Sequence, residues 1–252
     1  MIEIIILSLV QGVTEFLPIS SSSHLIIISN YLNLENQSLV VDVSLHIGSF
    51  IAVVVYFKKD IFNFIKNKEF LFKILISSIP VLLIGFFLVQ TNLIEKIRNI
   101  KIIAWTTLLF GILLFFSDKF KLEKSIDNNF NYKSAIFIGF FQVLSLIPGV
   151  SRSGIAITAA RFLNYKRVDS AKISFLLSIP TLGAVSIFGL KNIISEENLN
   201  FSIFNLLLIF MSFIFSLITI KYFLKYIKKF SLNVFVVYRI FLGLILLGIL
   251  YL

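Results

Sequence analysis

The chain has 252 residues, of which 58% are hydrophobic, and carries a net charge of +10; its mean hydropathy is +0.97. Soluble domains use roughly 45–50% apolar residues, so the composition excludes an ordinary soluble domain and predicts an all-α polytopic membrane protein. The short alternating segments of a membrane β-barrel do not occur, and the lack of cysteine excludes disulfides and thiolate metal sites.

In chain order, the first apolar segments are Ile2–Thr14 and Ser20–Asn30. At about 1.5 Å per residue, neither crosses about 30 Å of hydrocarbon. They read as one re-entrant helix–break–helix hairpin, entering from outside. Met1-Ile2-Glu3 lacks the basic start of a signal peptide, so the first helix is expected to belong to the mature fold. Val40–Phe57, Ile74–Thr91 and Ile102–Ser117 follow as full spans. Ser134–Ser145 and Ser151–Leu163 form a second short pair, read as a re-entrant hairpin entering from inside. Lys172–Gly189, Ile203–Lys221 and Leu232–Leu252 bring the full spans to six.

Charge sets the orientation. Lys58, Lys59, Lys66, Lys68 and Lys73 share one loop. Lys119, Lys121, Lys124 and Lys133 share a second, Lys166, Arg167 and Lys172 a third, and Lys221, Lys225, Lys228 and Lys229 a fourth. These four loops are placed in the cytoplasm. The opposite loops carry Glu35, Glu95, Glu196 and Glu197 against Lys96, Arg98, Lys101 and Lys191. The positive excess is therefore positive-inside charge facing a lipid bilayer, and no nucleic-acid partner is expected. Arg161 and Arg167 are expected to snorkel.

The result is a single integral membrane domain of two halves, about 1–125 and 126–252, in opposite orientation. Each has one hairpin followed by three spans. Gln11 and Gln142 each stand nine residues before Ser20 and Ser151, with a proline between and serines following at Ser22 and Ser153. An inverted-topology repeat with broken helices places a site near the midplane.

The two breaks carry the ionisable groups, and an ionisable residue at membrane depth is a functional-site hypothesis by default. A helix starting after a break presents free N–H groups and its positive dipole end. Ser20, Ser21, Ser22 and Ser23 at the first break, and Ser151 and Ser153 at the second, are N-cap types. Two such helix starts facing each other make an anion site, with phosphate the usual anion. Arg152 adds a fork of donors matched to phosphate oxygens. Glu15 is a ligand for a hard cation, a base, or the partner of Arg152. His24 reads as a nucleophile or proton shuttle. Asp42 and His46, one turn apart, line the cavity, bind a metal, or simply anchor the span. Arg239 sits inside the last apolar segment and needs a partner that the sequence does not show.

The stretch from Gln11 through Glu15 and Pro18 to Ser21, with His24 close behind, resembles the first signature of the undecaprenyl-diphosphate phosphatases of the BacA, or bacitracin-resistance, type. Pro148-Gly149-Val150-Ser151-Arg152-Ser153-Gly154, with Thr158, is similar to their second signature. Ser174–Pro180 and Tyr238-Arg239 also resemble family blocks. The resemblance spans nearly the whole chain. It implies hydrolysis of a polyprenyl (C55) diphosphate to the monophosphate at the outer side of the bacterial cytoplasmic membrane, with a divalent cation, Mg2+ or Ca2+, as cofactor. It implies catalytic roles for Glu15, Ser21, His24 and Arg152, with Glu15 also toward the metal. By the same resemblance Gln11, Ser153 and Thr158 line the site, and together with Ser20, Ser22, Ser151 and Gly154 at the helix starts they are expected to bind substrate. Two positions depart from the pattern: Gln11 stands where many members carry Glu, and Ser23 replaces a common Gly.

The alternative is a transporter or flippase of a phosphorylated lipid using the same anion site. The membrane phosphatases that use two histidines do not fit, because no histidine follows Ser151-Arg152-Ser153. The sequence leaves the oligomeric state open, a homodimer included.

Overall fold

The computed structural model describes residues 2–32, 39–91, 93, 97–195 and 203–251. Among them are six helices long and apolar enough to cross a membrane, so the chain is an all-α multi-pass membrane protein. These are α3 (Leu39–Tyr56), α5 (Lys68–Gln90), α6 (Ile100–Asp118), α9 (Arg167–Ser195), α10 (Ile203–Ile227) and α11 (Asn233–Tyr251). The shorter helices are α1 (Ile2–Thr14), α2 (Ser21–Leu32), α4 (Lys58–Lys66), α7 (Tyr132–Val143) and α8 (Arg152–Phe162). Asparagines start several of them. The side chains of Asn67, Asn99 and Asn131 accept from the N–H groups of Phe70, Ile102 and Ser134, satisfying donors that a helix start leaves free. The outer-loop charges Glu35, Glu95, Lys96, Glu196 and Glu197 lie outside the described residues.

The short helices form two helix–break–helix pairs, α1/α2 and α7/α8. Both breaks end on a serine with positive φ, Ser20 at 79° and Ser151 at 71°, a region that costs a side-chain-bearing residue strain. The second pair returns to where it began. Lys124 pairs with Tyr165 as a β-bridge, and Tyr165 Oη donates to the Asn129 carbonyl at 2.7 Å. Asp118 ties this end together: Arg167 donates to both of its carboxylate oxygens, at 2.7 and 3.0 Å, and so does the Leu232 N–H, to one of them, at 3.1 Å. Arg161 does not snorkel. It is fully buried and donates to the carbonyls of Asp118, Phe120, Lys121 and Tyr165, because the loop folds over it and offers more acceptors than the interface would.

The halves interlock. The first arm of each pair lies on a long helix of the other half, α1 on α10 and α7 on α5, while α3 packs on α9 and α6 on α11. Gly12 meets Phe215 and Ser216 of α10, and a Cβ at Gly139 would sit 2.3 Å from the Ser77 carbonyl of α5. Small residues permit such approach where lipid offers no hydrophobic drive between helices. The α8 helix is buried from Ser153 to Arg161, and its neighbours Phe16, Phe175 and Phe223 stack edge-on and tilted through the core.

Candidate active site

The breaks meet. Glu15, last of the polar residues before Pro18, is ion-paired through Oε1 with Arg152 Nη2, although the two are far apart in sequence. The other oxygen, Oε2, accepts from Ser21 Oγ at 2.5 Å and Gln11 Nε2 at 3.1 Å. Arg152 Nη1 turns to α9 and donates to Thr181 Oγ1 at 2.8 Å and the Ser178 carbonyl at 3.3 Å. Its guanidinium is thus held by both halves. Around this pair lies a cavity of about 160 Å³, walled by Ser20, Ser21 and Ser22 at the start of α2, Ser151 and Arg152 at the start of α8, and Thr14, Glu15, His46, Ser145 and Thr181. Two helix N-termini and a guanidinium facing one space favour a bound anion.

Arg239 holds the breaks in place. Fully buried in α11, it donates to the carbonyls of Pro18 in the first break and of Gly149 and Val150 in the second, at 2.9–3.1 Å, and to Thr107 of α6 at 3.3 Å. Thr106 Oγ1 adds a 2.6 Å bond to the Pro148 carbonyl. Gly149, with φ of 92°, leaves no room for a Cβ, which would lie 2.0 Å from Thr106 Oγ1. Ser153 Oγ donates to the Leu17 carbonyl at 2.7 Å, tying one break to the other.

His24 sits one turn into α2. Its Nδ1 donates to the Ser20 carbonyl at 2.5 Å, and Tyr238 Oη lies 2.5 Å from Nε2. A carbonyl only accepts, so a proton sits on Nδ1; in the neutral ring Nε2 is then the acceptor of the tyrosine O–H. Both ring nitrogens are therefore engaged.

The family model described as "Bacitracin resistance protein BacA" matches residues 4–245. The chain belongs to the BacA family. An undecaprenyl-diphosphatase of Pelagibacter ubique (strain HTCC1062) is 51% identical over 252 residues, covering 99% of this chain and 98% of that one. One from Jannaschia sp. (strain CCS1) is 37% identical over 98% of this chain and 97% of its own, and one from Ruegeria pomeroyi (strain ATCC 700808 / DSM 15171 / DSS-3) is 34% identical over 99% and 98%.

Within this BacA-family chain the residues singled out in the sequence fall into two groups. Glu15, Ser20, Ser21, Ser22, Ser151 and Arg152 wall the cavity. Gln11 stands behind Glu15 as its hydrogen-bond partner. Ser153 ties the breaks, the Gly154 N–H donates to Ser151 Oγ, and Thr158 is buried further along α8. His24 lies beside the first break against Tyr238 rather than on the cavity wall. His46 does line the cavity, its Nδ1 donating to the Asp42 carbonyl at 2.7 Å. Thr14, Ser145 and Thr181 were not foreseen. Thr181 directly follows Pro180 of a family block, which was the available signal.

The donor set fits a hard cation in a limited way. Among the described residues no three His, Asp or Glu come together. Glu15 and Ser21 offer oxygens at the cavity, and Gln11 Oε1 is buried without a hydrogen-bond partner. Mg2+ is commonly held by one or two carboxylates plus phosphate oxygens and water, which is the share this site can supply.

Proposed function

We propose that the chain hydrolyses undecaprenyl diphosphate to undecaprenyl phosphate and inorganic phosphate, recycling the lipid carrier of cell-wall synthesis at the outer side of the bacterial cytoplasmic membrane. The observation that carries the reading is the Glu15–Arg152 ion pair joining the two breaks inside a cavity walled by two helix starts. The undecaprenyl-diphosphatases named above, aligned over nearly the whole chain, support it. On this reading the two helix–break–helix pairs are re-entrant hairpins of an inverted repeat, and the pairing of α1 with α10 and α7 with α5 supports it.

In the mechanism, Arg152 and the N–H groups opening α2 and α8 bind the diphosphate and stabilise charge spreading over the equatorial oxygens of the transferred phosphoryl group. Ser21 Oγ, already bonded to Glu15, attacks the terminal phosphorus and passes its proton to Glu15. The bond from that phosphorus to the bridging oxygen breaks, and polyprenyl monophosphate leaves. Water then attacks the phosphoserine, the serine recovers its proton, and inorganic phosphate departs. His24, with both nitrogens engaged, orients the start of α2 through the Ser20 carbonyl rather than attacking. A bound divalent cation, Mg2+ or Ca2+, would supply charge neutralisation on phosphate oxygens, with Glu15 and Ser21 as its protein oxygens.

The deciding experiment is phosphate release from C55 diphosphate by purified protein in detergent, with and without a chelator. Release, lost with chelator, supports hydrolysis and the cation. A flippase without hydrolytic chemistry would release nothing. Trapping phosphate on Ser21 supports the covalent route; turnover surviving in Ser21→Ala would shift the attack to a water beside Glu15.

A further inference from the structure

His46 lies on the cavity wall, and the mechanism gives it nothing to do. It comes from α3, a full-length helix outside both breaks. Its Nδ1 donates to the Asp42 carbonyl, one turn back, at 2.7 Å. Nδ1 therefore carries a proton, and in the neutral ring Nε2 is an acceptor. That nitrogen has no hydrogen-bond partner among the described residues. His46 also stands close enough to Glu15 for the two side chains to interact electrostatically, and Glu15 holds Ser21 Oγ at 2.5 Å.

The other charged groups on the wall are taken. Arg152 donates to Glu15 and Thr181, and both Glu15 oxygens accept. An unused acceptor is out of place in a site for phosphate. Phosphate oxygens accept hydrogen bonds, so Nε2 has no donor to offer them and sets its lone pair against theirs. Water has O–H groups to give. An acceptor beside a bound phosphoryl group therefore selects water over phosphate oxygen. It also turns the water, because an O–H committed to Nε2 leaves an oxygen lone pair free for phosphorus.

Resting on the phosphatase reading, we propose that His46 Nε2 holds the water that hydrolyses the phosphoserine at Ser21. The water donates one O–H to Nε2, and its oxygen bonds the phosphorus as the bond from phosphorus to Ser21 Oγ breaks. Glu15 returns to Oγ the proton that it took in the first step. The attacking water keeps one proton as the hydroxyl of hydrogen phosphate and sheds the other to solvent. A hydrogen bond can orient an attacking water in this way without taking its proton, and an amide oxygen can serve as well as an imidazole. No water attacks in the first step, so His46 bears on the second alone.

Rapid quench of a single turnover, with C55 diphosphate labelled in its terminal phosphate, separates the two steps. In His46→Ala, polyprenyl phosphate should appear at the wild-type rate. Label should then stay on Ser21, and its release as inorganic phosphate should fall by about tenfold to a hundredfold, the cost of a misplaced reacting group. His46→Asn, polar like histidine but too short to reach the water, should accumulate label in the same way. His46→Gln, which brings an amide oxygen near the place of Nε2, should restore release. A purely structural role would not slow one step, spare the other and answer to glutamine. Equal slowing of both steps overturns the proposal, since His46 would then bind the diphosphate. Unchanged release of label in His46→Ala and His46→Asn overturns it too, as does a glutamine variant as slow as the alanine one. Wild-type protein that releases no phosphate from C55 diphosphate defeats the phosphatase reading itself.

Discussion

Two arginines at membrane depth show what one side chain can and cannot reveal. Arg152 was readable because its partner, Glu15, is a side chain with a complementary charge in a second polar break. Arg239 was marked as needing a partner, and its partners are carbonyls of Thr107, Pro18, Gly149 and Val150. Every residue carries a carbonyl, so no residue pattern points to them. The two arginines should fail differently. Arg152→Ala should cost well over tenfold in phosphate release, more than about 1.4 kcal/mol of barrier, in protein that still inserts and purifies; turnover within tenfold would make Arg152 structural. Arg239→Met should act on stability first. It leaves buried carbonyls of both breaks without donors, at about 1–3 kcal/mol each, so thermal unfolding in detergent should come distinctly earlier. Arg239→Lys should recover only part of this, because an ammonium lacks the planar fork that spans both breaks. Equal melting of wild type and Arg239→Met would show that the breaks stand without it.

At the scale of the helices, the sequence was a good guide wherever length and apolarity decide. Most of the long helices and both arms of each helix–break–helix pair lie within a few residues of where periodicity and N-cap residues put them; α5 starts earlier, α10 ends later, and α9 is longer at both ends, each running on into flanking charged sequence. The α4 helix was missed because Lys58, Lys59 and Lys66 read as loop charge. Which helix rests on which was not legible, since contacts between halves depend on small residues that look alike in sequence. Gly139 is the clearest case. Its missing Cβ lets α7 lie against the Ser77 carbonyl of α5, where an added carbon would be 2.3 Å away. Gly139→Ala should therefore destabilise the protein by about 1–3 kcal/mol, the usual range for overpacking. Gly183→Ala, where the nearest neighbour is Phe50 at 3.4 Å, should change stability little. Matched unfolding curves for the two variants would remove the close α5–α7 contact as a source of stability.

Across the whole molecule, the basic loops gather at one end. Asp60 pairs with Lys172 at 2.7 Å, Asp118 binds Arg167 and the start of α11, and Lys124 meets Tyr165. On the reading proposed above, positive charge concentrated there puts that end in the cytoplasm. The side on which the first helix–break–helix pair begins is then a matter of chain geometry. If α1 and α2 turn back within the membrane, Ile2 lies on the same side as the start of α3, outside. If they formed one bent span instead, Ile2 would lie inside. The cysteine-free background makes this a direct measurement with an impermeant thiol reagent on intact cells. Ile2→Cys and Arg98→Cys should label from outside, and Lys121→Cys and Lys228→Cys only after the membrane is opened. Labelling of Ile2→Cys only after opening would make the first hairpin a crossing. The halves would then no longer be threaded from opposite leaflets, and the ion pair of Glu15 with Arg152 would need another explanation than two electropositive helix starts meeting at mid-membrane.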